Sequence, residues 1–543
     1  MRNACYMVIA MLLLLVWREP LRGGDSANAN NSPKIAFHTS ERCLACHVGL
    51  TTAKGEDVSI GFDWRASIMA NSSRDPYWQA SARRETVDHP EVQAHIEDEC
   101  SVCHMPITRY EAKLHGQEGQ IFAFLPFDQK TSEMSALGQD GVNCSVCHQI
   151  SNQKLGTRES YNGGFIINPP QSPDDHPEYG PYLIQPGQTL IMQSSTGGFR
   201  PTFATHISDS ALCASCHTLY TEARGAGGKV IGQLPEQMPY LEWLHSDYAG
   251  KRSCQSCHMT EVEGPAPIAA VLGVDRLGVR RHVFVGGNFF MQRMLNNYRN
   301  ELSVTAMPKE LTDASDNTVH FLQSQSAEVS IQNVNTGGDK LNADVLVKNL
   351  TGHKMPTAFP SRRAWLHFVV RDRNGKAVFE SGALNHDGSI VGNDNDEDPG
   401  KYEPHYRRIT TGDQVEIYES ILGDSEGHVT TGLLDAVGYL KDDRLPPYGF
   451  DKATAQHDIA VIGDAASDPD FTGNGDHVQY SAPLNGAQGP FQVEVELWYQ
   501  PIGFRWAHNL APYKTPETIR LVQYYESMST ATAVLLTHAE VTH

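Results

Sequence analysis

One five-residue pattern, C-x-x-C-H, occurs five times in the first half of the chain, and the rest of that half is spaced around it. The copies are Cys43-Leu-Ala-Cys46-His47, Cys100-Ser-Val-Cys103-His104, Cys144-Ser-Val-Cys147-His148, Cys213-Ala-Ser-Cys216-His217 and Cys254-Gln-Ser-Cys257-His258. Ten of the eleven cysteines stand in these copies, where random placement would supply roughly 0.01 copies. The pattern is the attachment signature of c-type haem. Two thiols add to the two vinyl groups of a porphyrin, and the next residue, an imidazole, becomes an axial ligand of the iron. The spacing therefore predicts five c-type haems, bound through Cys43, Cys46, Cys100, Cys103, Cys144, Cys147, Cys213, Cys216, Cys254 and Cys257 and ligated by His47, His104, His148, His217 and His258.

Other uses of cysteine fit less well. A disulfide scaffold is a short chain dense in cysteine, and this one is 543 residues long. Structural zinc wants facing C-x-x-C pairs or a separate histidine pair, which leaves the histidine after every second cysteine unexplained.

The formal charge of -21 argues against nucleic acid or anionic lipid as a partner and suits a basic redox protein. Met1-Arg2-Asn3 followed by the apolar run Ala4 to Trp17, with Ala27-Asn28-Ala29 beyond it, reads as a secretory signal peptide over 1–29. The run is too short to span a bilayer comfortably, and no other segment reaches membrane length. The expected product is exported without a membrane span and works in the periplasm or at the cell surface, where haem is attached to such motifs.

The expected fold is an α and irregular pentahaem cytochrome c domain over 30–326, followed by a mainly β, immunoglobulin-like sandwich over 327–543. The first part is polar and loop-rich, and porphyrin plates would supply its apolar bulk. Helical patterns cover Asn288 to Leu302 and Pro308 to Gln325. Beyond Ala327 the period changes to two: Leu341, Ala343, Val345 and Val347, then Trp365 to Asp372 before the hairpin-like Asn374-Gly375, then Val415 to Ile421 and Phe491 to Tyr499. Thr515 and Pro516 begin a helix expected to turn Ile519, Val522, Tyr525 and Met528 inward.

Sixth ligands are harder to find. Histidines outside the motifs in the first half are His38, His89, His95, His115, His176, His206, His245 and His282. His206 lies seven residues before Cys213, and His89 and His95 just before Cys100. His353, in Thr351-Gly352-His353-Lys354-Met355-Pro356-Thr357, offers a loop of the β half that would reach back to cap a haem. Met69 is a thioether able to ligate iron, with a core methionine the equal alternative. His386, His428, His457, His477, His538 and His543 read as solvent-facing. Asp394-Asn395-Asp396-Glu397-Asp398 offers hard oxygen ligands for calcium, but it lacks the glycine and final glutamate of an EF-hand loop, and a solvated loop is the simpler reading.

The chain resembles the broad family of exported multihaem cytochromes c that includes tetrahaem nitrifier carriers, cytochrome c nitrite reductase and hydroxylamine oxidoreductase. The resemblance rests on the five motifs, on Glu242-Trp243 ahead of Cys254-Gln-Ser-Cys257-His258-Met259, and on His282 with Gly286-Gly287-Asn288. It implies His282 as a distal ligand and closely stacked, electron-carrying haems. Trp64-Arg-Ala-Ser67-Ile-Met69-Ala70 and Trp243-Leu-His-Ser246-Asp-Tyr248-Ala249 resemble a family segment that supplies a distal histidine, with Met69 and Tyr248 at that position. The nitrite reductase pattern has C-x-x-C-K at its catalytic haem, whereas all five motifs here end in histidine. The expectation is an electron carrier and not an enzyme; the alternative is an oxidoreductase acting on a small nitrogen or sulfur compound at one open haem. A third reading makes the β half a docking module.

Overall fold

The computed structural model of the protein describes residues 37–129, 132–168 and 175–543; the expected signal peptide lies outside the described residues. From Phe37 to Ala306 short helices alternate with turns. The longest of them, Pro76–Asp88, opens on Asp75, whose carboxylate accepts hydrogen bonds from the Tyr77 and Trp78 amides, with Pro76 at the first helical position. Both devices satisfy or remove otherwise unpaired donors of the first turn. Two small sheets add to the expected helix and loop: His176–Gly180 pairs in parallel with Phe199–Phe203, and Leu219–Arg224 antiparallel with Val230–Gln237.

The helix expected from Asn288 runs over Phe289–Asn297 and ends before Leu302. Its Phe289, Phe290, Met291, Met294 and Leu295 are fully buried. Pro308–Gln325 is helical as the pattern predicts.

After Ala327 the chain builds two main sheets. One holds Ala327–Gly337, Lys340–Asn349 and Asp476–Pro483, with Arg408–Ile409 at its edge in parallel. The other orders Ile417–Tyr418, Arg363–Arg371, Gln492–Gln500 and Val534–Thr542, with Ala377–Ser381 also on Arg363–Arg371. Alternate residues point inward: Leu341, Ala343, Val345 and Val347 from the first sheet meet Leu366, Phe368, Val370, Val493, Val495 and Leu497 from the second in one core. Phe368 stacks on Tyr480 at 3.9 Å and 11° across that core. Each such buried aliphatic side chain contributes about 1.5–3 kcal/mol.

The same core takes in Phe289, Met291 and Leu295 from the first half, so apolar packing runs across residue 327. The last helix, Pro516–Ser527, is capped by Thr515, which accepts from the Thr518 amide. Its inward face is Thr518, Leu521, Tyr524 and Tyr525, followed by Met528. Ile519, expected inside, is 41% exposed, and Val522 is half-buried. The cause is aromatic packing: Tyr524 stacks on Tyr298 at 3.4 Å, and Tyr525 meets Phe290 edge-on at 5.7 Å. These contacts turn the helix away from the phase its aliphatic residues suggest. Arg83 forks onto Glu517 at 3.0 and 3.1 Å beside them.

Candidate haem sites

Each motif winds one helical turn, which brings its second cysteine and histidine round beneath the first cysteine. The amides of His47 and His217 donate to the carbonyls of Cys43 and Cys213 at 3.0 and 2.9 Å. Asn143 caps the Cys144–Gln149 turn through the Val146 amide, and Asp209 caps the turn that begins the fourth motif. All ten motif cysteines are half-buried, with no disulfide among them.

The thiols also reveal which motifs are neighbours. Contact with Cys144, then burial, pushes the Cys43 thiol up; contact with Cys216 does the same for Cys103, and contact with Cys254 for Cys213. Burial raises Cys147 to about 12, with Cys216 the next cause. The first motif therefore adjoins the third, and the fourth lies beside the second, third and fifth.

Ring tautomers are set by backbone carbonyls, which can only accept. Nδ1 of His47 donates to the Ile268 carbonyl at 2.6 Å, His104 to Ser72 at 3.1 Å, His148 to Tyr179 at 2.6 Å and His258 to Val285 at 2.6 Å. This leaves Nε2 with a free lone pair, the arrangement that orients an imidazole ligand. Burial keeps these rings neutral: it lowers His104 to about 4, and lowers His47, His148 and His258. Burial, with His258 and Arg362 nearby, lowers His217 to about 4.

Two further imidazoles face motif histidines. His282 lies parallel to His148, with centroids 6.3 Å apart and planes 17° apart. His353 lies parallel to His258 at 6.1 Å and 14°. Metal–imidazole bonds of about 2.0 Å, plus about 1.1 Å from each nitrogen to its ring centre, put two rings on one metal about 6.2 Å apart. Both additional rings also donate Nδ1 to a carbonyl, His282 to Arg280 at 3.1 Å and His353 to Lys354 at 2.9 Å. Burial lowers them to about 3 and about 4. The donor set thus fits iron bound between paired imidazoles.

The His353 loop is held by a buried polar network. Glu242 accepts from the Lys354 amide at 3.0 Å and from Thr357 Oγ1 at 2.5 Å, and pairs with Arg444 at 3.3 Å. Lys354 Nζ and Arg444 both reach Asp442 at 2.7 Å. Tyr248 donates its hydroxyl to the Leu350 carbonyl at 3.0 Å, and a Cβ on Gly352 would meet Trp243 at 3.2 Å and Tyr248 at 3.4 Å. The Trp243 to Ala249 segment therefore packs against the loop that carries His353.

The other expected ligands have different neighbours. His206 places Nε2 2.8 Å from the Ile150 carbonyl and its ring edge-on to Tyr179. His89 Nε2 faces Asp435 at 3.3 Å, and His95 faces Glu99 at 3.5 Å. Met69 is half-buried, and its carbonyl accepts from the Val142 amide just before the third motif. Asp394-Asn395-Asp396-Glu397-Asp398 is not the solvated loop its charge suggests. Asp394–Glu397 is a short helix, and buried Asp396 takes a forked bond from Arg363 at 2.8 and 2.9 Å, so that an arginine satisfies this carboxylate, while Asp394 and Glu397 are exposed. The six histidines read as solvent-facing are exposed. Sequence reasoning passed over His405, which is fully enclosed by carboxylates; its partners are scattered along the chain and leave no local pattern.

No protein-family model matches the chain, and no curated protein does. Among solved structures it is similar to a penta-heme cytochrome c552 from Thermochromatium tepidum, at 15% identity and a TM-score of 0.50, covering 94% of this chain and 100% of that one. With geometry and likeness taken together, the chain has the fold of a multihaem cytochrome c.

Proposed function

We propose that the protein is an exported electron carrier that passes electrons through five covalently bound c-type haems, in the periplasm or at the cell surface. The observation that carries this reading is the facing of His148 by His282 and of His258 by His353 at the spacing of two ligands on one metal. Bound haem iron supplies one-electron chemistry, tuned by ligand identity, burial and hydrogen bonding. The chain's part is to hold imidazoles neutral and oriented, and at the two paired sites His148 with His282 and His258 with His353 would hold the iron. Motif adjacency leaves no site isolated, and the fourth motif is a junction among three others. The Thermochromatium protein of the same fold is a penta-heme cytochrome, which supports five as the haem number. For His47, His104 and His217 the sixth ligand stays with the candidates Met69, His89 and His206. The acidic surface favours a basic redox partner.

Mass spectrometry of the purified protein, with electron paramagnetic resonance of its oxidised form, tests the reading. Five haems with low-spin signals are expected. A mass equal to the bare polypeptide would end it, and a high-spin ferric signal that responds to nitrite or hydroxylamine would favour the oxidoreductase.

A further inference from the structure

Away from the motifs, His405 sits in a closed cage of acids. Its Nδ1 lies 2.8 Å from Glu416 and 3.5 Å from Asp443; its Nε2 lies 3.3 Å from Asp468 and 4.0 Å from Asp476 Oδ1. The side chains of all four acids are fully buried, and Phe471 lies edge-on to the imidazole at 5.0 Å.

The charges facing one another there do not balance. Lys441 reaches Asp443 at 3.3 Å but is shared with Glu419 at 3.4 Å. Arg407, with its side chain 61% exposed, reaches Asp468 at 3.3 Å. Lys452, beside Phe471, adds a third cation that acts on Asp468 and Asp476. With a neutral imidazole, four carboxylates against these three cations, one of them shared with Glu419, leave at least one negative charge in a buried site, where unpaired charge is strongly unfavourable. Hydrogen bonding is incomplete as well. Asp476 accepts from the Tyr418 hydroxyl at 2.8 Å through Oδ2, but its Oδ1, which faces His405, has no hydrogen-bond partner, nor has the buried Tyr480 hydroxyl. One nitrogen of His405 and one oxygen each of Glu416 and Asp476 lie within 4.8 Å of one another.

We propose that His405, Glu416 and Asp476 bind a divalent first-row metal ion of the zinc or manganese kind, with Asp443 and Asp468 as neighbouring carboxylates. One imidazole with several carboxylates matches the donor preference of these ions, whereas calcium favours an all-oxygen shell. The ligands come from separate segments of the β half, so the ion serves as a clamp within it. Asp443 directly follows Asp442, which holds Lys354 beside His353, so the clamp abuts the network behind a candidate haem ligand.

The test is elemental analysis of the full haem-loaded chain purified without chelator, which reads zinc and manganese separately from iron. About one such ion per chain is expected. Chelation should lower the melting temperature, and added Zn2+ or Mn2+ should restore it. Asp476→Asn removes a direct ligand and should weaken binding of the added ion by at least about tenfold, the least that loss of a partner behind a ligand costs, while the Soret absorbance per chain stays unchanged. If this variant does not fold, chelation and reloading of the unaltered protein decide. A chain that carries neither metal and takes up neither ion overturns the proposal and leaves His405 as a buried imidazolium. An affinity for the added ion that is unchanged in a folded Asp476→Asn variant also overturns it. Because the readout is separate from iron, failure here is distinguishable from failure of the haem reading.

Discussion

The imidazoles of His258 and His353 lie 6.1 Å apart and 14° from parallel, although one closes the fifth motif and the other sits in a loop between the strands Lys340–Asn349 and Arg363–Arg371. Replacing His353 with alanine should therefore convert one low-spin haem to high-spin without loss of haem. His353→Met should keep that site six-coordinate and raise its potential, as thioether ligation does. Paramagnetic resonance and a redox titration read both outcomes.

His282→Ala should do the same at the third motif. Because the His148 and His282 pair uses different rings from the His258 and His353 pair, the double variant should lose two low-spin signals additively. An unchanged spectrum for the single variant would remove His282 as a ligand.

Glu242 should matter to stability out of proportion to its size. It is fully buried and joins Arg444, Thr357 and the Lys354 amide. Glu242→Gln breaks one side of a buried ion pair, for which a cost of about 3–5 kcal/mol is expected. Denaturant unfolding measures it, and a loss below about 1 kcal/mol would contradict the role given to this network.

Gly287 is required by close approach: a Cβ there would stand 2.5 Å from the Tyr499 hydroxyl and 3.3 Å from its ring. Gly287→Ala should cost about 1–3 kcal/mol as overpacking. Adding Tyr499→Phe removes the nearest atom and should recover part of the loss, a non-additivity visible in a double-mutant cycle.

Glu178 gives a pH signature. Burial pushes its carboxyl from 4.5 up to about 7, although Gln149 and Ser145 donate to it. The folded state therefore holds the proton more tightly than the unfolded one. Its contribution is complete below about pH 4.5 and is lost as pH rises through 7, in total about 3 kcal/mol. Glu178→Gln should flatten the change in melting temperature across that window, and a parallel shift with unchanged slope would count against the assignment.

The motifs were legible because covalent attachment demands neighbouring residues in fixed order. The helix Pro308–Gln325 and the alternation from Leu341 to Val347 were legible because each buries one face in a regular period. The pairing of His353 with His258 in particular was not, since facing rings are set by tertiary contacts that leave no spacing rule. For the same reason the acids around His405 could not be grouped, and the aromatic stacking of Tyr524 on Tyr298 overrode the aliphatic phase of the last helix.

Between Arg280 and Gly287 a single stretch of backbone touches two motifs. It presents His282 to the third motif, and three residues later the Val285 carbonyl steers the ring of the fifth. With haems bound as proposed, a tug on this strip would be felt at both motifs, and two reduction potentials would drift together when either neighbour is disturbed.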